Sequence, residues 1–224
     1  MSVSVDSSKP RRLRADAERN RQAILDAATT LFAQRGLSVS TDEVASAAGV
    51  GIGTLYRHFP AKQDLVNGVF DQQMQIVTDA ALRALDADDP WEGITRMFRE
   101  LCETAATDRG MCEVMTDADD QCVASTRARE TITPLFERIV TRAHAAGQLR
   151  PGVGANDFVV LMSMMRGAVE MTASMPDEKW RRYCQLLLDG VHGSPGDEPL
   201  IGSAPTDDEI TAAKAAFAER GAGR

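Results

Sequence analysis

Aromatic side chains make up only 5% of this 224-residue chain, and stretches that alternate β-branched with polar residues are nearly absent. A sheet-rich fold draws on both, so their scarcity argues against one. No apolar run reaches bilayer-spanning length, which leaves no membrane partner. The start, Met1-Ser2-Val3-Ser4-Val5-Asp6, lacks the apolar segment of a secretory signal, so a cytoplasmic location is expected. The four cysteines, Cys102, Cys112, Cys122 and Cys184, show no CxxC spacing. In a reducing compartment they are expected as free thiols packed like small hydrophobes. None has a flanking Lys, Arg or His to mark a thiolate site, so a cysteine sensor is not expected. The three histidines, His58, His144 and His192, stand in no zinc-like spacing with a cysteine. Neither a metal nor a cofactor is expected. GxSxG, HExxH and a glycine-rich phosphate loop are all missing, and with them the usual marks of an enzyme.

What the chain has is helix-forming material. Apolar residues make up 43% and charged residues 26%, with Ala, Leu, Met, Arg and Glu abundant, which points to an all-α protein with a folded core. The formal net charge is −8, unevenly placed. Residues 1–62 carry nine Lys/Arg against six Asp/Glu, while the rest carries sixteen against twenty-seven. A basic head on an acidic body lets one end approach phosphate while the other repels it.

Residues 1–14 read as a flexible basic arm, in which Arg11, Arg12 and Arg14 either reach a minor groove or stay solvated. Ile24, Ala27, Ala28, Leu31 and Phe32 form the apolar stripe of a first helix, closed by Gly36. Ser40-Thr41-Asp42-Glu43 is a capping box that opens a second, short helix ending at Gly49. A third runs from Ile52 to Phe59 and stops before Pro60. A long fourth helix carries Val66, Val69, Phe70, Val77, Ala80, Ala81 and Ala84. Asp89 and Pro90 start a fifth, with Ile94, Met97, Phe98, Leu101, Cys102 and Ala105 on one face. A short helix at 111–116 and a loop at 117–120 follow. Ile132, Leu135, Phe136, Ile139, Val140 and Ala143 mark another helix that starts or kinks near Pro134. The last two large helices span 156–173 and 177–191. Residues 193–205, rich in Gly, Pro and Ser, read as a flexible linker before a possible short helix at 206–219.

Two short helices joined through a glycine-containing turn and braced by a preceding helix describe a helix-turn-helix. In Gly51-Ile52-Gly53-Thr54-Leu55-Tyr56-Arg57-His58-Phe59, Leu55 and Phe59 are four apart and can face the scaffold. Thr54, Tyr56, Arg57 and His58 can face a groove, and Gly51 and Gly53 permit close backbone approach. Taken singly, Tyr56 and Phe59 are equally readable as core aromatics and His58 as a helix-end cap. Ser40 to Phe59, extended back through Arg21–Gly36 and forward through Pro60-Ala61-Lys62, resembles the signature of the TetR family of regulators. The resemblance covers residues 17–66. It implies an all-α fold: a three-helix head joined by a long fourth helix to a ligand-binding and dimerising helical body. It implies that Thr54 and the backbone near Gly53 contact bases or phosphates, that Tyr56 and His58 hold phosphates, and that Lys62 meets a phosphate at the start of the fourth helix. Ser40 and Thr41 would cap the second helix and meet the DNA backbone there. Many members have Ser where this chain has Gly51, so a hydroxyl contact is lost.

The implied organisation is an arm (1–14), a DNA-binding domain (15–66), a ligand-binding and dimerisation domain (67–192) and a flexible tail (193–224). The helix at 156–173 is apolar almost all round and must be covered on more than one side. The resemblance pairs it and its successor with their copies in a second subunit. Candidate interface residues are Phe158, Met162, Met165, Val169, Trp180, Tyr183, Leu187 and Val191; the same residues also suit a monomer core. Candidate pocket residues are Met97, Phe98, Leu101, Cys102, Met111, Met115, Phe136 and Met164, because methionine adapts to ligands, although it also simply fills cores. Arg166 and Glu170, four apart, either pair with each other inside the helix or leave Arg166 to anchor an anionic ligand. The partners implied are a near-palindromic double-stranded operator, a small-molecule effector and a second copy of the chain. Repression released by ligand is the implied sense. The alternative is a helical protein–protein adaptor with a basic head.

Overall fold

A computed structural model describes residues 8–107 and 123–222. Among them are nine α-helices: α1 Ser8–Arg35, α2 Thr41–Ala47, α3 Ile52–His58, α4 Lys62–Asp86, α5 Pro90–Thr107, α6 Val123–Ala145, α7 Ala155–Thr172, α8 Trp180–Val191 and α9 Asp207–Ala222. A single 3-10 turn, Gly36–Ser38, links α1 to α2. The all-α expectation holds. Met111, Met115, Cys112, Cys122 and the helix expected at 111–116 lie outside the described residues.

The helix ends follow local chemistry. Gly49 adopts φ +67°; its N–H donates to the Ser46 carbonyl (3.2 Å), and Val50 N–H donates to the Ala45 carbonyl (3.0 Å). That pair of bonds is a Schellman motif, and the left-handed residue in it favours glycine. Gly147 (φ +67°) closes α6 in the same way, with bonds to His144 and Ala143. Carboxylates three residues inside the helix accept the N–H groups ahead of α4 (Asp64 from Ala61, 2.9 Å) and α7 (Asp157 from Gly154, 2.8 Å). Asp89 caps α5 by accepting from Glu92 N–H at 3.0 Å.

Among the described residues two large hydrophobic cores form, with Phe70 and Met74 of α4 as a small third cluster. The head core joins Ile24, Ala28, Phe32, Val39, Val44, Leu55, Phe59, Leu65 and Val69. The body core joins Ala80, Ala81 and Ala84 with residues of α5 to α8. α4 contributes to both, so the division expected after residue 66 falls inside one unbroken helix. Gly68 permits its close packing: a Cβ there would meet Leu25 Cδ2 and Phe59 Cε1, each at 3.0 Å. At its far end the Arg142 guanidinium of α6 donates to the carbonyls of Leu85 (2.7 Å), Ala87 and Asp88 (3.1 Å). The Leu85 carbonyl is among the last of α4, which a helix terminus leaves unpaired, and Ala87 and Asp88 follow directly on the helix, so the end of α4 is fixed to the body by a charged cap.

Four expectations change. α1 reaches back to Ser8, into the stretch assigned to the arm. α6 begins at Val123, well before Pro134, which lies inside it; proline removes one backbone bond there without ending the helix. α8 begins at Trp180, because Asp177 (φ 64°) and Glu178 (φ 46°) take left-handed conformations that helix cannot include. The 193–205 segment is not a free linker. Gly193 N–H donates to the Gln148 carbonyl (2.9 Å), Leu200 N–H to the Pro151 carbonyl (3.1 Å), and Asn156 reaches the Pro205 carbonyl (3.0 Å) and Asp207 (2.7 Å). Just before it, the His192 ring stacks on Trp91 at 4.2 Å. Its polar backbone finds partners on the body, which composition alone did not disclose.

Candidate nucleic-acid interface

The capping box read from sequence is present. Ser40 Oγ accepts from Glu43 N–H (3.3 Å), and the Glu43 carboxylate accepts from Ser40 N–H and Oγ–H (both 2.9 Å). Arg35 adds an ion pair to Glu43 at 2.7 Å. The Ser40 backbone N–H, the Ser40 hydroxyl and Arg35 together lower the Glu43 pKa from 4.5 to about 2. The start of α2 is thereby tied to the end of α1.

α3 sits on the scaffold through Leu55, with Phe59 just past its end; both are buried. Phe59 is also capped by the Arg21 guanidinium, 4.7 Å above its ring. Tyr56 is not a core aromatic. It is 45% exposed, and its phenol oxygen lies 3.0 Å from Thr41 Oγ1. Arg57, Gly51 and Gly53 are exposed, and Thr54 and His58 half-buried. Gly51, the residue ahead of α3, has φ −69°, an ordinary value. A Cβ at Gly51 or Gly53 would meet nothing within 4 Å. Neither backbone conformation nor packing within the protomer demands a glycine at these two positions. Lys62, half-buried, donates its ammonium to the Leu37 carbonyl, which holds the start of α4 against the α1–α2 connection. Two of its three N–H groups remain for other partners. The structure thus gathers Ser40, Thr41, Gly51, Gly53, Thr54, Tyr56, Arg57, His58 and Lys62 around α2, α3 and the start of α4.

The body residues fall differently from the expectation. Phe158, Met165, Trp180 and Val191 are buried in the protomer's own core, with Met162, Val169 and Leu187 packed against it. Of the eight interface candidates only Tyr183 is well exposed. The apolar groups that α7 and α8 present outward are Val160, Met164, Met171, Tyr183 and Leu186. A helix face is about a third of its circumference, and the expectation took the inward third. Among the pocket candidates, Met97, Phe98, Leu101 and Cys102 are buried core residues, Phe136 packs at the core's edge, and Met164 points outward at 54% exposure. Arg166 is half-buried and Glu170 exposed, so a pair between them is not an internal one.

One cluster escaped the sequence reading. A cleft of about 320 Å³ opens between α5 and α8, lined by Arg99, Trp180, Arg181, Cys184 and Gln185. The signal was present as Arg99/Cys102 and Arg181/Cys184, each an arginine three residues ahead of a cysteine. On a helix that spacing makes neighbours, whereas inspection of directly flanking residues misses it. Among the described residues no group of three or more His, Cys, Asp and Glu is arranged to hold a metal, and no helix is long and apolar enough to cross a membrane.

Comparison with known proteins agrees with this architecture. Residues 24–69 match the model of bacterial regulatory proteins of the tetR family, and residues 89–193 match that of the SbtR-like transcriptional regulator C-terminal domain. An HTH-type transcriptional regulator of Staphylococcus aureus is 42% identical over 65 residues, which is 29% of this chain and 35% of that protein; the match spans about a third of the length of such curated relatives. The crystal structure of a TetR transcription regulatory protein from Mycobacterium vanbaalenii is 32% identical, with a TM-score of 0.60 over 80% of this chain and 99% of that one. A TetR transcriptional regulator from Streptomyces coelicolor is 27% identical, with a TM-score of 0.57 over 78% and 99%. With a capped helix-turn-helix at one end, a helical body at the other and a relative matched over nearly its whole length, the chain belongs to the TetR family of transcription regulators.

Proposed function

We propose that the protein is a homodimeric repressor that binds a near-palindromic operator through α3 and leaves it when a small molecule binds the body. The observation that carries the DNA contact is the exposed face of α3. Gly51 and Gly53 leave its N-terminal end bare without serving the protomer, while Tyr56 and Arg57 offer a phenol and a guanidinium to phosphates and base edges. Two copies of α3 roughly 34 Å apart would read successive major grooves, which a dimer through the outward residues of α7 and α8 would provide.

Release follows from the continuity of α4. The helix carries Leu65 and Val69 in the head core and Ala80, Ala81 and Ala84 in the body core. A ligand that favours one packing of α5 and α6 against α4 would tilt it, change the spacing of the two heads, and weaken operator binding by its differential affinity for the two states.

The test is binding of the purified protein to the DNA upstream of its own coding region, over a range of salt, beside Tyr56→Ala. Specific binding by a dimer, steeply salt-dependent and weakened in the variant, is expected. Binding without sequence preference and indifferent to Tyr56 would reject the repressor and favour a helical adaptor.

A further inference from the structure

α5 and α8 meet along a seam of paired side chains. Arg99 donates to Gln185 Oε1 at 2.6 Å, and Arg181 pairs with Glu103 at 2.5 Å. Between those two ties lie Cys102 of α5 and Cys184 of α8, both free thiols in the body core, whose ionisations influence each other. Cys102 Sγ lies 3.9 Å from Met162 Sδ, which can accept its hydrogen. Cys184 is only 2% exposed, yet it forms part of the cleft wall, with Arg99 and Arg181 beside it. Cys102 is fully buried behind it.

The two thiols are therefore not equivalent. Its interaction with Cys102, helped by the charges of Arg99 and Arg181, lowers the Cys184 pKa against the effect of burial. Its interaction with Cys184, together with burial, raises that of Cys102. A thiolate is the reactive form of cysteine. The member favoured as thiolate is thus the one that borders the opening, and the member favoured as thiol is the one within reach of it.

We propose that Cys184 and Cys102 form an oxidant-responsive dithiol, with Cys184 the thiol attacked through the cleft and Cys102 the thiol that resolves it. The oxidant class is a hydroperoxide. The Cys184 thiolate attacks the distal peroxide oxygen, the O–O bond breaks, and the leaving alkoxide or hydroxide takes a proton, giving Cys184 sulfenic acid and an alcohol or water. Cys102 then displaces the sulfenic oxygen as water, and its own proton leaves with it. One disulfide has formed and the peroxide has been reduced by two electrons. Closing the two sulfurs to a bond of about 2 Å requires α5 and α8 to approach. A disulfide of this kind is transient and regulatory in a reducing compartment. Arg181 and Gln185 project from the flank of α8 away from Tyr183 and Leu186, so a dimer through the latter would leave the cleft open.

The test uses the full-length protein, reduced and then exposed to one equivalent of hydrogen peroxide, with thiols alkylated after unfolding and peptides mapped by mass spectrometry. The expected product is a Cys102–Cys184 linked peptide lacking two hydrogens. Cys102→Ser should accumulate a dimedone-trappable sulfenic acid on Cys184, and Cys184→Ser should give none on Cys102. Arg99→Gln with Arg181→Gln should slow the reaction several-fold. Circular dichroism checks that each variant is folded, and Cys102→Ala replaces Cys102→Ser if the serine variant is not. A protein in which Cys102 and Cys184 both remain alkylatable, or in which Cys112 or Cys122 oxidises first, overturns the proposal. The peptide map does not depend on DNA binding, so this inference and the repressor reading fail separately.

Discussion

The phenol oxygen of Tyr56 lies 3.0 Å from the hydroxyl of Thr41, so the exposed aromatic of α3 is held by the first residue of α2. The bond orients a ring that packing alone leaves mobile. It also leaves the phenol with capacity for a second partner, since a hydroxyl both donates and accepts.

Tyr56→Phe removes the hydroxyl from both roles while keeping the ring. A hydrogen bond to a charged group contributes roughly 1.5–3 kcal/mol, so operator affinity should fall about tenfold or more. The salt dependence should stay the same, because no charge is lost. The protomer should lose no more than about 1 kcal/mol of stability, a usual net hydrogen-bond value. Thr41→Val cuts the tie but spares the phenol and should affect DNA binding less. Fluorescence anisotropy on the operator together with urea unfolding of the same samples checks both statements. Equal losses of DNA affinity in the two variants would mean that orientation of the ring, not contact by the phenol, is what matters.

Glu43 makes the stability of the head depend on pH. Its folded pKa, about 2, lies below the ordinary 4.5, so between those values the unfolded chain binds more protons than the folded one. Its contribution to stability is present above about pH 4.5 and is lost as pH falls through about 2. Urea midpoints of the protein and of Glu43→Gln should therefore differ most near neutral pH and converge as the medium becomes acidic. The solvent exposure of the Arg35–Glu43 pair predicts that added salt reduces the difference. A gap that persists unchanged to pH 2 would assign the role of Glu43 to packing.

The head was the more readable half, for physical reasons. Its caps and turns are local: Ser40 with Glu43, Gly49 after α2 and Pro60 after α3 act within a few residues, so their spacing carries their meaning. Leu55 and Phe59 on one side and Tyr56 and Arg57 on the other follow from the helical period alone. In the body the relevant partners lie far apart in sequence. Phe158 and Met165 are as apolar as Val160 and Met164, and only the position of α5 decides which pair is inward. The anchoring of 193–205 depends on Gln148, Pro151 and Asn156, and the Cys102–Cys184 contact spans two helices. No local pattern announces either.

The dimer face makes the same point testable. Met164 and Leu186 are more than half exposed, and replacing both by Asp should leave the helical content and the protomer fold intact. If α7 and α8 form the interface, two buried charges per subunit oppose association, and sedimentation should show a monomer at concentrations where the parent chain is a dimer. Phe158→Ala should act on the other side of α7, lowering stability by about 3–5 kcal/mol as a core truncation does. A double variant that remains dimeric would move the interface elsewhere.

The glycines around α3 separate what the fold needs from what the interface needs. Gly49 at φ +67° has nothing within 4 Å of a would-be Cβ, so Gly49→Ala meets no clash and its cost is conformational, roughly 1–2 kcal/mol for a left-handed alanine. Gly53 lies within a helix and in open space, so Gly53→Ala should raise protomer stability by about 0.5–1 kcal/mol, the usual helix-interior gain. Gly51→Ala should be close to neutral, its φ of −69° being open to any residue. On DNA the order reverses. A methyl group at 53 stands where the backbone would approach phosphate, and should weaken operator binding despite a more stable fold. Gly49→Ala should bind nearly as well as the parent at temperatures where it remains folded. Thermal melts set against operator titrations for the three variants decide the matter. If stability and affinity fall together across the set, the glycines serve the fold and the bare N-terminal end of α3 is not a contact surface.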